Sequence, residues 1–130
     1  MILLALDTTD DRPIYAQISD QIKAAVASGV LRPGELAPSV RELSKQLVIN
    51  PNTVARAYRE LQAEGLLASV RGTGLEVTAA APAHCRADRR EAARARLRSA
   101  IEEARRCGLE FAEIEAVLHA GRARENGNAN

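Results

Sequence analysis

Ile14, Ile18, Ile22 and Val26 recur every fourth position, a spacing that stacks them on one face of a helix. Pro13 suits the first turn, where its missing N–H would be unpaired anyway, and Gly29 lies where a left-handed cap is wanted. Arg32-Pro33-Gly34 predicts a turn. A second, short helix begins at Ser39. Ser39-Val40-Arg41-Glu42 reads as a capping box, in which serine and glutamate each satisfy an orphan backbone N–H. Val40, Leu43 and Leu47 face inward, and the helix stops near Val48. A third helix opens on Asn50-Pro51, a cap residue followed by proline. Val54, Tyr58 and Leu61 supply its buried stripe and Gly65 follows its end. Two helices joined by a turn of about three residues form the helix-turn-helix layout.

After Gly65 the period changes from helical to alternating. Leu66 to Arg71 predicts a strand, Gly72-Thr73-Gly74 a tight turn, and Leu75 to Thr78 the returning strand. A glycine-hinged strand pair directly behind a recognition helix makes a wing. Ala79-Ala80-Ala81-Pro82-Ala83 reads as a linker, because proline ends regular structure and nothing nearby is bulky. Residues 86–106 are rich in Arg, Ala and Glu, good helix formers, with a narrow apolar seam of Leu97, Ile101 and Ala104. Gly108 breaks this helix. Another runs from about Glu110 to Ala120, with Phe111, Ile114, Val117 and Leu118 apolar. The expected organisation is a winged helix-turn-helix over residues 10–78, a linker over 79–85, a helical region over 86–121 and a flexible tail over 122–130. The fold class is mainly α with a small β wing (α+β), completed by a C-terminal two-helix dimerisation hairpin.

Composition narrows the function less than the pattern does. The 130 residues are 46% hydrophobic and 27% charged, as in an ordinary soluble domain. Tyr15, Tyr58 and Phe111 are the aromatics, so the core is aliphatic. A net charge of +1 does not announce nucleic acid. Residues 1–80 carry 8 Lys/Arg against 9 Asp/Glu, and residues 81–130 carry 10 against 8. DNA binding would therefore depend on where particular cations sit, not on their number. Met1-Ile-Leu-Leu-Ala-Leu is too short for a signal-peptide core, and no apolar stretch reaches the roughly 20 residues needed to span a membrane. A cytoplasmic protein with reduced thiols is expected. Cys85, Cys107, His84 and His119 match no metal-site spacing, so neither metal nor cofactor is expected.

Several linked motifs carry a family resemblance. Pro13-Ile14-Tyr15, Pro33-Gly34, Pro38-Ser39-Val40-Arg41-Glu42-Leu43, Asn50-Pro51-Asn52-Thr53-Val54, Arg56-Ala57-Tyr58 and Glu64-Gly65-Leu66 resemble the GntR family of bacterial transcription factors. The short helical tail is similar to that of its YtrA subfamily. The chain has Ala37 where members usually have Leu, and Leu75-Glu76 where the wing commonly has Thr and an aromatic residue. Glu76 would repel phosphate if it pointed at a duplex, and its direction is open at this stage.

The resemblance implies that the third helix enters the major groove. The expected contacts are Ser39, Arg41, Asn50, Asn52, Thr53, Arg56 and, from the wing, Arg71, Gly72, Thr73 and Gly74. Asparagine can pair with adenine and arginine with guanine, while a helix N-terminus offers free N–H groups to phosphate. Arg41 sits in a first turn, against the preference of the helix dipole, which suggests an anionic partner elsewhere. Blander roles remain open: Arg41 paired with Glu42 or Glu60, Asn50 and Asn52 as cap and turn residues, Arg56 and Arg71 as solvated charges.

The C-terminal helices have too narrow an apolar stripe to form their own core. Two such hairpins about a two-fold axis would make a four-helix interface of Leu97, Ile101, Ala104, Phe111, Ile114, Val117 and Leu118. Packing back onto the chain's own winged domain is the alternative. The partners expected are double-stranded operator DNA and a second copy of the chain, with no membrane. The DNA reading implies a palindromic operator with half-sites about one turn apart, and the family's short members often act as repressors. A small effector between winged domain and tail is left open. No nucleophile–base set or phosphate-cradling loop suggests an enzyme. A winged helix that binds protein instead is the rival reading, disfavoured because Asn50, Asn52 and Arg56 are polar where such a face would show Leu, Phe or Trp.

Overall fold

The structure is a computed structural model that describes residues 4–128. The first three apolar positions of the chain and the last two of the expected tail lie outside those residues. Among the described residues five helices and one hairpin follow in order: α1 (Ile14–Ser28), α2 (Val40–Leu47), α3 (Pro51–Ala63), β1 (Leu67–Val70), β2 (Gly74–Val77), α4 (Ala81–Arg106) and α5 (Phe111–Asn128). The protein is thus mainly helical with a small antiparallel wing, as the pattern predicts. It divides into two compact units at Arg89/Arg90.

In the first unit α3 is the hub, packed on α1, α2 and β1. Ile18, Ile22, Leu43, Val54 and Leu61 are fully buried around it, each worth about 1.5–3 kcal/mol relative to exposure. The expected stripe on α1 needs one correction, since Ile14 is 42% exposed. Gln17 is buried instead, because residues 4–12 lie over that side of the helix, and Ser19 is buried on another face. The Gln17 side chain accepts from Asp7 N–H at 3.0 Å and donates to the Arg12 carbonyl at 3.2 Å. One turn on, Gln21 pairs with both backbone groups of Ala5. Pro13 is the residue that caps α1, one place before the first helical residue.

The serine half of the capping box is present: Ser39 Oγ accepts from Glu42 N–H at 3.0 Å. α2 ends on Val48, whose φ of 54° lies in the left-handed region. Asn50 then caps α3, its Oδ1 accepting from Asn52 N–H at 2.9 Å. Tyr58 OH donates to the Pro38 carbonyl at 2.5 Å and ties α3 to the entry of α2. Burial raises this phenol well above its ordinary pKa, and the nearby Glu42 charge adds to the shift.

The strands pair from Leu67↔Val77 to Val70↔Gly74, one residue shorter at each outer end than expected. The free edge of β2 is not bare. Gly34 N–H donates to Val77 O, Ala37 N–H to Leu75 O, and Val77 N–H to Glu35 O, all at 2.8–2.9 Å. The loop ahead of α2 therefore fixes the wing's base.

Two expected boundaries change. Residues 81–85 are not linker: they are the first turn of α4, with Ala81 and Cys85 at 0% exposure in the core. Pro82 is tolerated because first-turn N–H groups have no helical partner, and the small side chains let the helix approach closely. The residues expected to fray, from Arg122, continue α5 to Asn128, in keeping with the helix propensity of Arg, Ala and Glu.

In the second unit α4 and α5 make few contacts with one another. Ile101, Ala104 and Ile114 are partly covered, whereas Leu97, Phe111, Val117 and Leu118 are exposed. Arg105 stacks over Phe111 at 3.9 Å, and Arg98 pairs with Glu91 at 2.9 Å. No helix among the described residues is long and apolar enough to cross a membrane.

Candidate nucleic-acid interface

The residues singled out from sequence fall on three adjoining elements, α2, the start of α3 and the wing turn. Arg41 and Asn50 line one surface groove together with Val40, Ser44, Lys45 and Val48. Ser39 lines a second with Thr73 and Gly74 of the wing. Half of the candidate set thus lines two grooves, with Asn52, Thr53, Arg56, Arg71 and Gly72 outside both.

Each position follows from local chemistry. Asn50 spends its side-chain oxygen on the cap of α3, which leaves only its NH2 for another partner. Asn52 is exposed in the first turn, while Thr53 is half-buried. Asn52, Arg56 and Arg59 follow at steps of four and three along the exposed side of α3, opposite Val54, Ala57, Tyr58 and Leu61. In the wing, Gly72 and Gly74 have φ of 76° and 121°, values that a side chain would strain. Thr73 closes the turn with N–H and Oγ1 both donating to the Val70 carbonyl. Glu76 is not at this tip. Leu75 and Val77 turn toward the core, so Glu76 lies on the outer side of the hairpin, between Ala68 and Leu36.

The decisive electrostatic feature is pairing, because net charge is close to zero. Arg12 pairs with Asp10 and Asp20, and Lys23 with Glu64 at 2.9 Å. Hydrogen bonds from Arg12 hold Asp10 below the usual carboxylate range. Among the described residues, Arg41, Lys45, Arg56, Arg59 and Arg71 have no carboxylate within ion-pair distance. Neither Glu42 nor Glu60 pairs with Arg41. Cations on α1 and before it are neutralised; those on α2, α3 and the wing turn are not.

Sequence reasoning passed over three members of this surface. Lys45 lies four residues after Arg41, a spacing that puts both on one side of α2 and would have revealed it. Arg59 is legible the same way, three residues after Arg56. Tyr15 had no such signal: its ring lies beneath the Arg56 guanidinium, 3.8 Å from carbon to centroid, and residues 41 apart give no periodicity.

Fold and site together define a winged helix-turn-helix protein. Residues 14–77 match the family model for bacterial regulatory proteins of the gntR family. The chain is 41% identical over 76 residues to the HTH-type transcriptional repressor YtrA of Bacillus subtilis (strain 168), a match that covers 58% of each chain. A transcriptional regulator from Oenococcus oeni is 35% identical with a TM-score of 0.78, covering 91% of this chain and 98% of that one. For a GntR family transcriptional regulator from Listeria monocytogenes the figures are 32%, 0.71, 88% and 98%. The DNA-binding domain of AraR, solved in complex with operator ORE1, is 29% identical with a TM-score of 0.50 and covers 60% of this chain and 95% of that one. The chain spans little more than half the length of the curated relatives it first matches. It belongs to the GntR family, and YtrA-like regulators are among its relatives.

Proposed function

We propose that this chain is a cytoplasmic transcriptional regulator that binds double-stranded operator DNA as a homodimer and represses the genes behind it. The observation that carries the reading is the run of cations on α2, α3 and the wing turn with no carboxylate in ion-pair range among the described residues, where Arg12 and Lys23 on the α1 side are paired. A polyanion is the partner that such a surface leaves room for, and the operator complex of AraR is consistent with it.

In this reading α3 enters the major groove. The partial positive charge at its N-terminus faces phosphate. Asn52 is placed to read adenine and Arg56 guanine, each bidentate pair separating bases by about 1–3 kcal/mol. Arg41 and Lys45 hold the backbone, which sets register without specifying sequence. Arg71 and the wing turn of Gly72, Thr73 and Gly74 lie along the neighbouring minor groove or its phosphates. The exposed Leu97, Phe111, Val117 and Leu118 are assigned to a second copy, which would present two recognition helices about one helical turn apart, roughly 34–36 Å. A dimer seated on a promoter represses by occlusion.

Selection of random-sequence duplexes on the full chain tests this. One palindromic sequence should be enriched, and its affinity should fall linearly on a log–log plot against salt, by about 0.9 per phosphate neutralised. Equal, weak binding to every duplex at low salt would overturn the reading.

A further inference from the structure

We infer that Tyr15 is a positioning residue: its ring holds the Arg56 guanidinium in place on the recognition helix, and so sets how sharply the chain tells its operator from other DNA. The inference rests on the DNA-binding reading and adds to it a residue on α1, outside the helix-turn-helix and the wing.

The geometry has three parts. Arg56 lies with its guanidinium carbon 3.8 Å from the centroid of the Tyr15 ring, inside the range of an attractive cation–π contact. Tyr15 is itself fixed, half-buried against the core in the first turn of α1. That turn is held by the Gln17 side chain, which bonds to Asp7 and Arg12 of the preceding segment. Third, Arg56 stays exposed and has no carboxylate partner among the described residues. An ion pair would fix the side chain by consuming its N–H donors. A ring face accepts none of them as a carboxylate would, so the guanidinium is ordered and its donors remain available.

This distinction matters for recognition by arginine. A long side chain must give up rotamer freedom to make a bidentate contact, and a stack made before binding leaves less to lose. The effect belongs to the contact Arg56 makes with a base edge. It should therefore appear in the preference between sequences more than in affinity for DNA at large.

The test uses the full chain, the duplex recovered by the selection above and a scrambled duplex of equal length. Tyr15→Leu keeps apolar bulk and removes the ring face; Tyr15→Phe keeps the ring. Tyr15→Leu should cut the preference for the selected duplex about two- to five-fold, the worth of an exposed cation–π contact, with the scrambled duplex bound as before. Tyr15→Phe should behave as the wild type. In an Arg56→Ala background Tyr15→Leu should change nothing further, which isolates the pair. Preference unchanged or raised in Tyr15→Leu, an equal loss in Tyr15→Phe, or the same loss without Arg56 would each overturn the inference. A wild type that shows no preference would instead defeat the DNA-binding reading itself.

Discussion

Val48 is 88% exposed and holds φ 54° at the end of α2, a conformation that costs a side-chain-bearing residue roughly 1–2 kcal/mol and that β-branched residues avoid most. Asparagine tolerates it better than a β-branched residue and brings less freedom to the unfolded chain than glycine would. Val48→Asn should therefore raise stability by about 1 kcal/mol, seen as a higher urea midpoint at unchanged slope; an unaltered or lower midpoint would refute stored strain there. Arg41 and Arg56 should separate cleanly in binding. Arg41→Ala should weaken the selected and the scrambled duplex alike and reduce the salt slope by about one. Arg56→Ala should instead cost about 1–3 kcal/mol on the selected duplex alone. Competition binding at two salt concentrations checks both, and identical behaviour of the two variants would undo the assignment of roles. At this scale the sequence was readable wherever side-chain chemistry is local: Ser39 and Asn50 cap as their spacing predicts. It was silent on Val48, because nothing in a valine announces left-handed backbone, and on Tyr15, because its partner lies on another helix.

The helices with regular apolar spacing were legible: Leu43 on α2 and Val54, Tyr58 and Leu61 on α3 are buried as their pattern requires. What misled was small or polar residues with work in the core. Gln17 faces inward because its amide serves two backbone groups of the segment laid across α1, which no apolar period can reveal. The start of α4 misled in the other direction. Alanines beside a proline suggest a spacer, yet Ala81 and Cys85 are small because the helix meets the core there. The α4 contact predicts different outcomes for two shortened chains. A chain ending at Arg89 keeps that contact and should retain the urea midpoint of the winged unit. One ending at Thr78 uncovers the core beneath Ala81 and Cys85 and should lose about 1–3 kcal/mol. Equal midpoints for the two would show that the first turns of α4 contribute nothing to the winged unit.

On the scale of the whole molecule, the unsatisfied feature is apolar. Val117 and Leu118 are 70% and 71% exposed on a helix that its neighbour barely covers, and exposed large apolar side chains are what an association site would use. If a second copy covers it, a carboxylate there opposes assembly without disturbing the helix, since both side chains already face water in the single chain. The double variant Val117→Asp, Leu118→Asp should sediment as a monomer where the wild type is a dimer, with unchanged helicity. Binding to one half-site should be untouched, because α2, α3 and the wing are intact. Binding to the full palindrome should fall by a factor on the order of 100 or more, since a tethered second half-site acts as a high effective concentration that a monomer lacks. The paired measurement separates the two parts of the functional reading. A variant that stays dimeric removes these residues from the interface. One that becomes monomeric yet holds the palindrome as before would show that the operator is read by a single winged unit, and that the exposed helices answer to something other than DNA.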